Sequence, residues 1–86
     1  MAKVEIYTNG SCAYCVAAKT LLKQHGFDYS EIRVDAEPAQ LQAMVERTQR
    51  RSVPQVLIDG QVIGGYEELA EAIRDGRLAP PAGGAA

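Results

Sequence analysis

Cys12 and Cys15 are the only cysteines of the chain, and two residues separate them. An apolar, helix-favouring run from Val16 to Leu22 follows directly, and a short alternating stretch from Val4 to Thr8 precedes the pair. The order strand, loop, Cys-x-x-Cys, helix places both thiols at or near a helix N-terminus. There, unpaired backbone N–H groups and the helix dipole favour the thiolate form of a cysteine. Such a pair is suited to thiol–disulfide exchange.

The two thiols are expected to differ in exposure and in role. Cys12 precedes the first helical turn, so it is the more exposed thiol and the candidate nucleophile. Cys15 lies one turn into the helix and is expected to be more buried, as a resolving thiol. The alternative is half of a zinc site, but zinc takes four ligands and the single histidine, His25, lies about three turns away. The sequence therefore favours redox chemistry and predicts no metal site within one chain.

The composition indicates one domain, since 86 residues are enough for a single core. A net charge of −2 without a basic stripe gives no sign of nucleic-acid binding. No apolar run approaches the ~18 residues that a membrane span needs, and no signal peptide is recognised at the N-terminus. We therefore expect a cytoplasmic protein, and structural disulfides are rare in that compartment.

The hydrophobic pattern predicts an α/β domain with the order β-α-β-α-β-β-α. The predicted strands span about 3–8, 30–35, 55–58 and 61–63, and the predicted helices about 13–25, 37–48 and 66–75. The first two strands are joined through a helix and should be parallel, whereas Asp59-Gly60 predicts a hairpin between the last two. The result is a mixed four-stranded sheet with helices on both faces. We expect the domain to span residues 1–78, followed by a disordered tail at 79–86.

Ser52-Val53-Pro54 precedes the third strand and is the second segment with a functional implication. Proline cannot donate to a sheet ladder, so at the start of a strand it marks an edge or a turn. Together with the Cys-x-x-Cys pair, this proline predicts a cis Val53–Pro54 bond, which would turn the chain sharply and present the Val53 backbone outward. An extended peptide could then pair with it.

Gly64-Gly65-Tyr66-Glu67-Glu68 opens the last helix and is the third such segment. Acidic residues at a helix N-terminus are favourable by about 0.3–1 kcal/mol, and this explains the two glutamates without a ligand. Two consecutive glycines cost chain entropy unless the backbone must approach something closely.

Taken together, these segments resemble those of the bacterial dithiol glutaredoxins. The resemblance covers about residues 2–78, and its matching pieces are Val4-Glu5-Ile6-Tyr7, Cys12-x-Tyr14-Cys15, Arg50-x-Ser52-Val53-Pro54-Gln55, Ile58-Asp59 and Ile63-Gly64-Gly65. It implies a thioredoxin-like fold, with glutathione as co-substrate. The implied glutathione contacts are Tyr14, Arg50, Ser52, Val53, Pro54, Gly65, Tyr66, Glu67 and Glu68.

Individual roles also follow from the resemblance. Cys12 would form the mixed disulfide with glutathione, and Val53 would pair with the glutathione cysteine through its backbone. Tyr66 and Glu67 would meet the γ-glutamyl end, with Glu68 nearby.

The resemblance leaves the ligand of the glycine carboxylate open among three arginines. Arg50 is a candidate for this role. Arg47 and Arg51 are equally compatible with solvated charges at a helix end.

The chain departs from the family pattern at three places. Asn9 stands where many members have a lysine, which removes a cation that would stabilise the Cys12 thiolate. Tyr66-Glu67-Glu68 replaces the usual Cys, Ser or Thr followed by two aspartates. Ala13 replaces proline, and some members without that proline hold a [2Fe–2S] cluster between two protomers. Such a cluster would use Cys12 from each protomer and two glutathione thiols.

The function expected from these features is glutathione-dependent reduction of disulfides by a monomer. Its partners would be glutathione and glutathionylated or disulfide-bonded proteins such as ribonucleotide reductase. The alternatives are a redoxin reduced by thioredoxin reductase, an iron–sulfur carrier, and a binding domain in which the cysteines are incidental.

Overall fold

A computed structural model describes residues 3–78 as a four-stranded sheet with three helices. In chain order the elements are β1 (Val4–Thr8), α1 (Ala13–Gln24), β2 (Tyr29–Arg33), α2 (Pro38–Thr48), β3 (Gln55–Ile58), β4 (Gln61–Gly64) and α3 (Tyr66–Arg74). The predicted order is confirmed, and the boundaries agree within two residues. The predicted tail at 79–86 lies outside the described residues.

The strands pair in the order β2-β1-β3-β4. β1 is parallel to β2 and antiparallel to β3, while β3 and β4 form an antiparallel hairpin. Asp59 and Gly60 connect the hairpin with φ angles of 53° and 81°, as a two-residue turn with left-handed residues requires. The mixed sheet predicted from the sequence is therefore confirmed.

Helices cover both faces of the sheet. α1 and α3 pack on one face around a buried cluster of Val4, Ile6, Ala18, Leu22, Phe27, Val56 and Leu69. α2 covers the other face through Met44, which packs with Tyr7 and Leu57. Because β1 lies between two strands and between two helical layers, it is buried from both sides, and its C-terminal end leads into the loop to α1.

Two residues that share the helical spacing of the α1 core do not belong to it. Tyr14 and His25 recur with Ala18 and Leu22, yet both are exposed, and the third buried side chain of α1 is Cys15. The buried face of this helix is narrow: Cys15 in the first turn lies on it, whereas the neighbouring Tyr14 lies outside it. Within residues 3–78, the helices are too short and too polar to cross a membrane.

Candidate active site

Cys12 caps the N-terminus of α1 with its own side chain. Its backbone is extended (φ −109°, ψ 111°), and its sulfur accepts a hydrogen bond from the Cys15 N–H at 3.1 Å. The thiol in turn lies 3.7 Å from the carbonyl oxygen of Val53, to which it donates. An N–H donor and the positive end of the helix dipole therefore both face this sulfur.

Cys15 is buried beneath the first turn of α1, with 1% of its surface exposed. Burial raises the pKa of the Cys15 thiol to about 12, and the neighbouring Cys12 sulfur adds to the increase. Cys15 is therefore protonated at neutral pH, whereas Cys12 is half-exposed. The unequal exposure predicted from the sequence is confirmed.

The turn before β3 brings Val53 to Cys12. The Val53–Pro54 peptide bond is cis, as predicted, and Pro54 is buried. Gln55 fixes this turn, because its side-chain amide donates to the carbonyl of Ser52 at 3.0 Å and to the Ser52 hydroxyl at 3.3 Å. Sequence reasoning missed this role of Gln55, although a glutamine directly after Val53-Pro54 was the available signal.

A groove of about 250 Å³ runs beside Val53 and Pro54. Its lining consists of Tyr14, Arg50, Ser52, Val53, Pro54, Gln55, Gly65, Tyr66, Glu67 and Glu68. The nine residues that the resemblance implied for glutathione all lie in this lining. The rings of Tyr14 and Tyr66 approach to 5.9 Å between centroids, with an angle of 41° between their planes. Tyr14 is 62% exposed, so its ring forms an open wall of the groove.

The glycine pair is explained in part by a side chain of the protein itself. Glu68 accepts a hydrogen bond from the Gly65 N–H at 2.6 Å, which caps α3. Gly64 has φ +120°, and a Cβ atom placed there would lie 2.7 Å from the Glu68 carboxylate. The two glycines therefore allow the backbone to lie close to the Glu68 side chain.

Of the three candidate arginines, only Arg50 lies in the groove. Its guanidinium is 3.4 Å from the Glu68 carboxylate, and both side chains are about half exposed. Arg47 instead contacts β1, through Glu5 at 2.8 Å and the Tyr7 hydroxyl at 3.0 Å. Arg51 lines a separate cavity beside α2.

The loop before Cys12 shows what replaces the usual lysine. The side-chain oxygen of Asn9 accepts a hydrogen bond from the Ser11 N–H at 3.1 Å. The N–H of Gly10, the residue before Ser11, donates to the Asp35 carboxylate at 3.0 Å. Asn9 thus shapes the loop locally and supplies no charge to Cys12.

A sequence model of the family described as glutaredoxin matches residues 4–63 of the chain. The chain belongs to the glutaredoxin family. It is 42% identical to glutaredoxin 3 of Escherichia coli strain K12 over 80 residues, covering 93% of this chain and 96% of that protein. It is 36% identical to the glutaredoxin of Pseudomonas aeruginosa over 78 residues, covering 91% and 93%.

Solved glutaredoxin structures have the same architecture. The buckwheat glutaredoxin–glutathione complex superposes with a TM-score of 0.80 at 35% identity, covering 90% of this chain and 73% of that one. The glutaredoxin of Brucella melitensis gives 0.78 at 37% identity, covering 91% and 85%. The fold is therefore thioredoxin-like, and this glutaredoxin is a thiol oxidoreductase.

Whether this glutaredoxin could hold the cluster by itself depends on the side chains in the described part of the chain. Among residues 3–78, no group of three or more His, Cys, Asp or Glu side chains is placed to hold a metal ion. A [2Fe–2S] cluster on Cys12 would therefore need thiolates from outside this chain. The residues present do not by themselves fit such a cluster.

Proposed function

We propose that the protein is a glutathione-dependent thiol–disulfide oxidoreductase with Cys12 as its nucleophile. The observation that carries the proposal is the position of the Cys12 sulfur, between the Cys15 N–H and the Val53 carbonyl. A disulfide approaching along the groove would meet this sulfur at the N-terminus of α1, where the Cys15 N–H donates to it.

The groove is suited to glutathione, an extended tripeptide with charged ends. A relative from buckwheat was solved as a complex with glutathione. In this chain, the Val53 backbone would pair with the central residue of the tripeptide, beside Ser52 and Pro54. Tyr14 would cover it from the exposed side.

The two ends of glutathione would meet opposite charges. Arg50 would bind the glycine carboxylate as a charge-assisted partner. Gly65, Tyr66 and Glu67 would surround the γ-glutamyl end, where the first N–H groups of α3 favour its carboxylate. Glu68 would contact this end while it holds the Gly65 N–H.

The mechanism begins with attack of the Cys12 thiolate on a glutathionylated protein. Cys12 takes the glutathione as a mixed disulfide, and the substrate leaves as a thiolate that is then protonated. A second glutathione thiolate attacks this disulfide, releases oxidised glutathione and restores Cys12.

Protein disulfides, such as that of ribonucleotide reductase, would follow a second route. Cys12 forms a mixed disulfide with one substrate sulfur, and Cys15 loses its proton and attacks Cys12. The Cys12–Cys15 disulfide forms, and the reduced substrate leaves. We further propose that the protein acts as a monomer in the cytoplasm.

Cys15→Ser tests this division of roles. The variant is expected to keep glutathione-dependent reduction of a small glutathione mixed disulfide and to lose reduction of a protein disulfide. Cys12→Ser is the matched control and should lose both activities. Full protein-disulfide reduction by Cys15→Ser would contradict the proposal. Activity with thioredoxin reductase but none with glutathione would favour a thioredoxin-type redoxin.

The iron–sulfur alternative has a separate measurement. Protein isolated anaerobically with glutathione is expected to be colourless and monomeric. Visible absorption that co-elutes with a dimer and is lost in Cys12→Ser would support cluster binding instead.

A further inference from the structure

The proposed mechanism leaves the ionisation of Cys15 unexplained. This thiol must become a thiolate before it can attack Cys12, yet burial raises its pKa. A neighbouring positive charge would favour the thiolate and speed the step.

Such a charge is fixed beside Cys15 by a polar cluster that none of the proposed glutathione contacts includes. Lys19 lies four residues after Cys15 on α1, a spacing that puts two side chains on one helix face with Cβ atoms about 5–6 Å apart. Its ammonium is 3.0 Å from Glu31 on β2, and the hydroxyl of Thr8 donates to the same carboxylate oxygen at 2.6 Å. These three residues define the Lys19 cluster.

The Lys19 cluster is held at the edge of the core. Thr8 is fully buried, and the side chains of Lys19 and Glu31 are 26% and 31% exposed. The Thr8 hydroxyl and the Lys19 ammonium lower the pKa of Glu31, so this carboxylate stays charged and keeps Lys19 in place. A fully exposed lysine, in contrast, would sample many side-chain conformations in solvent.

The other charged neighbours of Cys15 do not substitute for Lys19. They are Cys12 at the cap of α1, Glu31 in the cluster, and Arg33 and Asp35 on the side of β2. Arg33 is 46% exposed and bound at 2.8 Å by both carboxylate oxygens of Asp35, whereas Lys19 is 26% exposed and meets one oxygen of Glu31 at 3.0 Å. Solvent and counter-ion therefore screen the charge of Arg33 more than that of Lys19. Cys12 opposes the ionisation of Cys15, whereas a hydrogen bond with the Asn9 backbone favours it and the Lys19 ammonium adds a smaller favourable effect.

We propose that Lys19, held by Glu31 and Thr8, is a positioning residue whose charge stabilises the Cys15 thiolate and so speeds the resolving step. The inference rests on the thiol–disulfide exchange proposed above. In this step, Cys15 releases its proton to water, and its sulfur bonds to Cys12. The bond from Cys12 to the substrate sulfur breaks, and that sulfur leaves with the electron pair.

A chromogenic aromatic disulfide separates the two chemical steps in one stopped-flow trace. Attack by Cys12 releases one nitrothiobenzoate in a phase that depends on reagent concentration. Attack by Cys15 then releases the second in a phase independent of concentration. The first phase reports Cys12, and the second phase reports Cys15.

Lys19→Met removes the charge and keeps the aliphatic stem. It is expected to slow the second phase about three- to tenfold at neutral pH, with the first phase unchanged. A plot of the logarithm of the second rate against pH should move to higher pH by about half to one unit. Lys19→Arg should restore the rate. Lys23→Met, in the exposed last turn of α1, is the matched control and should leave both phases unchanged.

Two results would overturn the inference. One is a second phase that Lys19→Met leaves unchanged, and the other is an equal slowing of both phases, which would indicate a general structural effect. Neither result affects the proposed function, which fails only if the wild-type protein does not reduce glutathione mixed disulfides.

Discussion

Glu68→Ala removes the carboxylate that caps α3 and pairs with Arg50. The hydrogen bond to the Gly65 N–H is short, at 2.6 Å, and losing a cap of this kind costs about 1 kcal/mol. The charge also interacts with the helix N-terminus, worth about 0.3–1 kcal/mol. The pair with Arg50 is half exposed on both sides and adds only a few tenths, on the order of an exposed ion pair. The free energy of unfolding should therefore fall by about 1–2 kcal/mol.

Thermal and urea unfolding, followed by circular dichroism, measure this loss. For a domain of this size, Tm should fall by roughly 5–15 °C. Glu67→Ala is the matched control, because Glu67 lies in the same helical turn but makes no hydrogen bond or ion pair to the rest of residues 3–78. It should lose only the dipole contribution, about 0.3–1 kcal/mol. Glu68→Gln keeps an acceptor for the Gly65 N–H, so its loss of unfolding free energy should lie between those of Glu67→Ala and Glu68→Ala.

Equal destabilisation by Glu67→Ala and Glu68→Ala would refute this reasoning, because it would mean that only charge near the helix N-terminus matters. A loss in Glu68→Ala below about 0.5 kcal/mol would show that water replaces the cap at no cost.

Two further predictions concern stability. The Arg47 guanidinium lowers the pKa of Glu5 below its usual 4.5, so the stability from this pair is complete above that pH and is lost as the pH falls below it. As the pH is lowered from about 7 to 3, the urea midpoint of Glu5→Gln should therefore fall less steeply than that of the wild-type protein. Equal slopes of urea midpoint against pH would contradict the pairing. Ala13→Pro should raise the free energy of unfolding by about 0.4–1 kcal/mol, because Ala13 is the first residue of α1 and the extended backbone of Cys12 is compatible with a following proline. A urea midpoint below that of the wild-type protein would contradict this prediction.

Sequence reasoning predicted the elements of this fold well because their signals are local. Alternation marked β1, Asp59-Gly60 marked the hairpin, and Pro38 lies in the first turn of α2, a position that suits proline. The exposure of Tyr14 was not visible in the spacing, because a helical period does not show how wide the buried stripe is. That width depends on what packs against α1.

The residues that line the groove were predicted from three separated segments of the sequence. The contacts that these residues make with one another were harder to predict. The sequence left three arginines open, and the distances place only Arg50 in the groove while Arg47 contacts Glu5. The contact of Glu68 with Gly65 was also missed, although the two lie in one turn, because the glycine pair indicated a close backbone approach without showing which group is approached.

The sequence by itself determined the order of elements and the family and identified the Cys-x-x-Cys pair as the candidate site, because each depends on residues close together in the chain or on motifs in a fixed order. Only the tertiary structure decided which charges act on which groups. Lys19, Glu31 and Thr8 come from α1, β2 and β1, and their meeting beside Cys15 depends on the pairing of the strands and the packing of the helix over them. Electrostatic effects fall with distance in space, so the chemistry of the two cysteines follows from the folded arrangement.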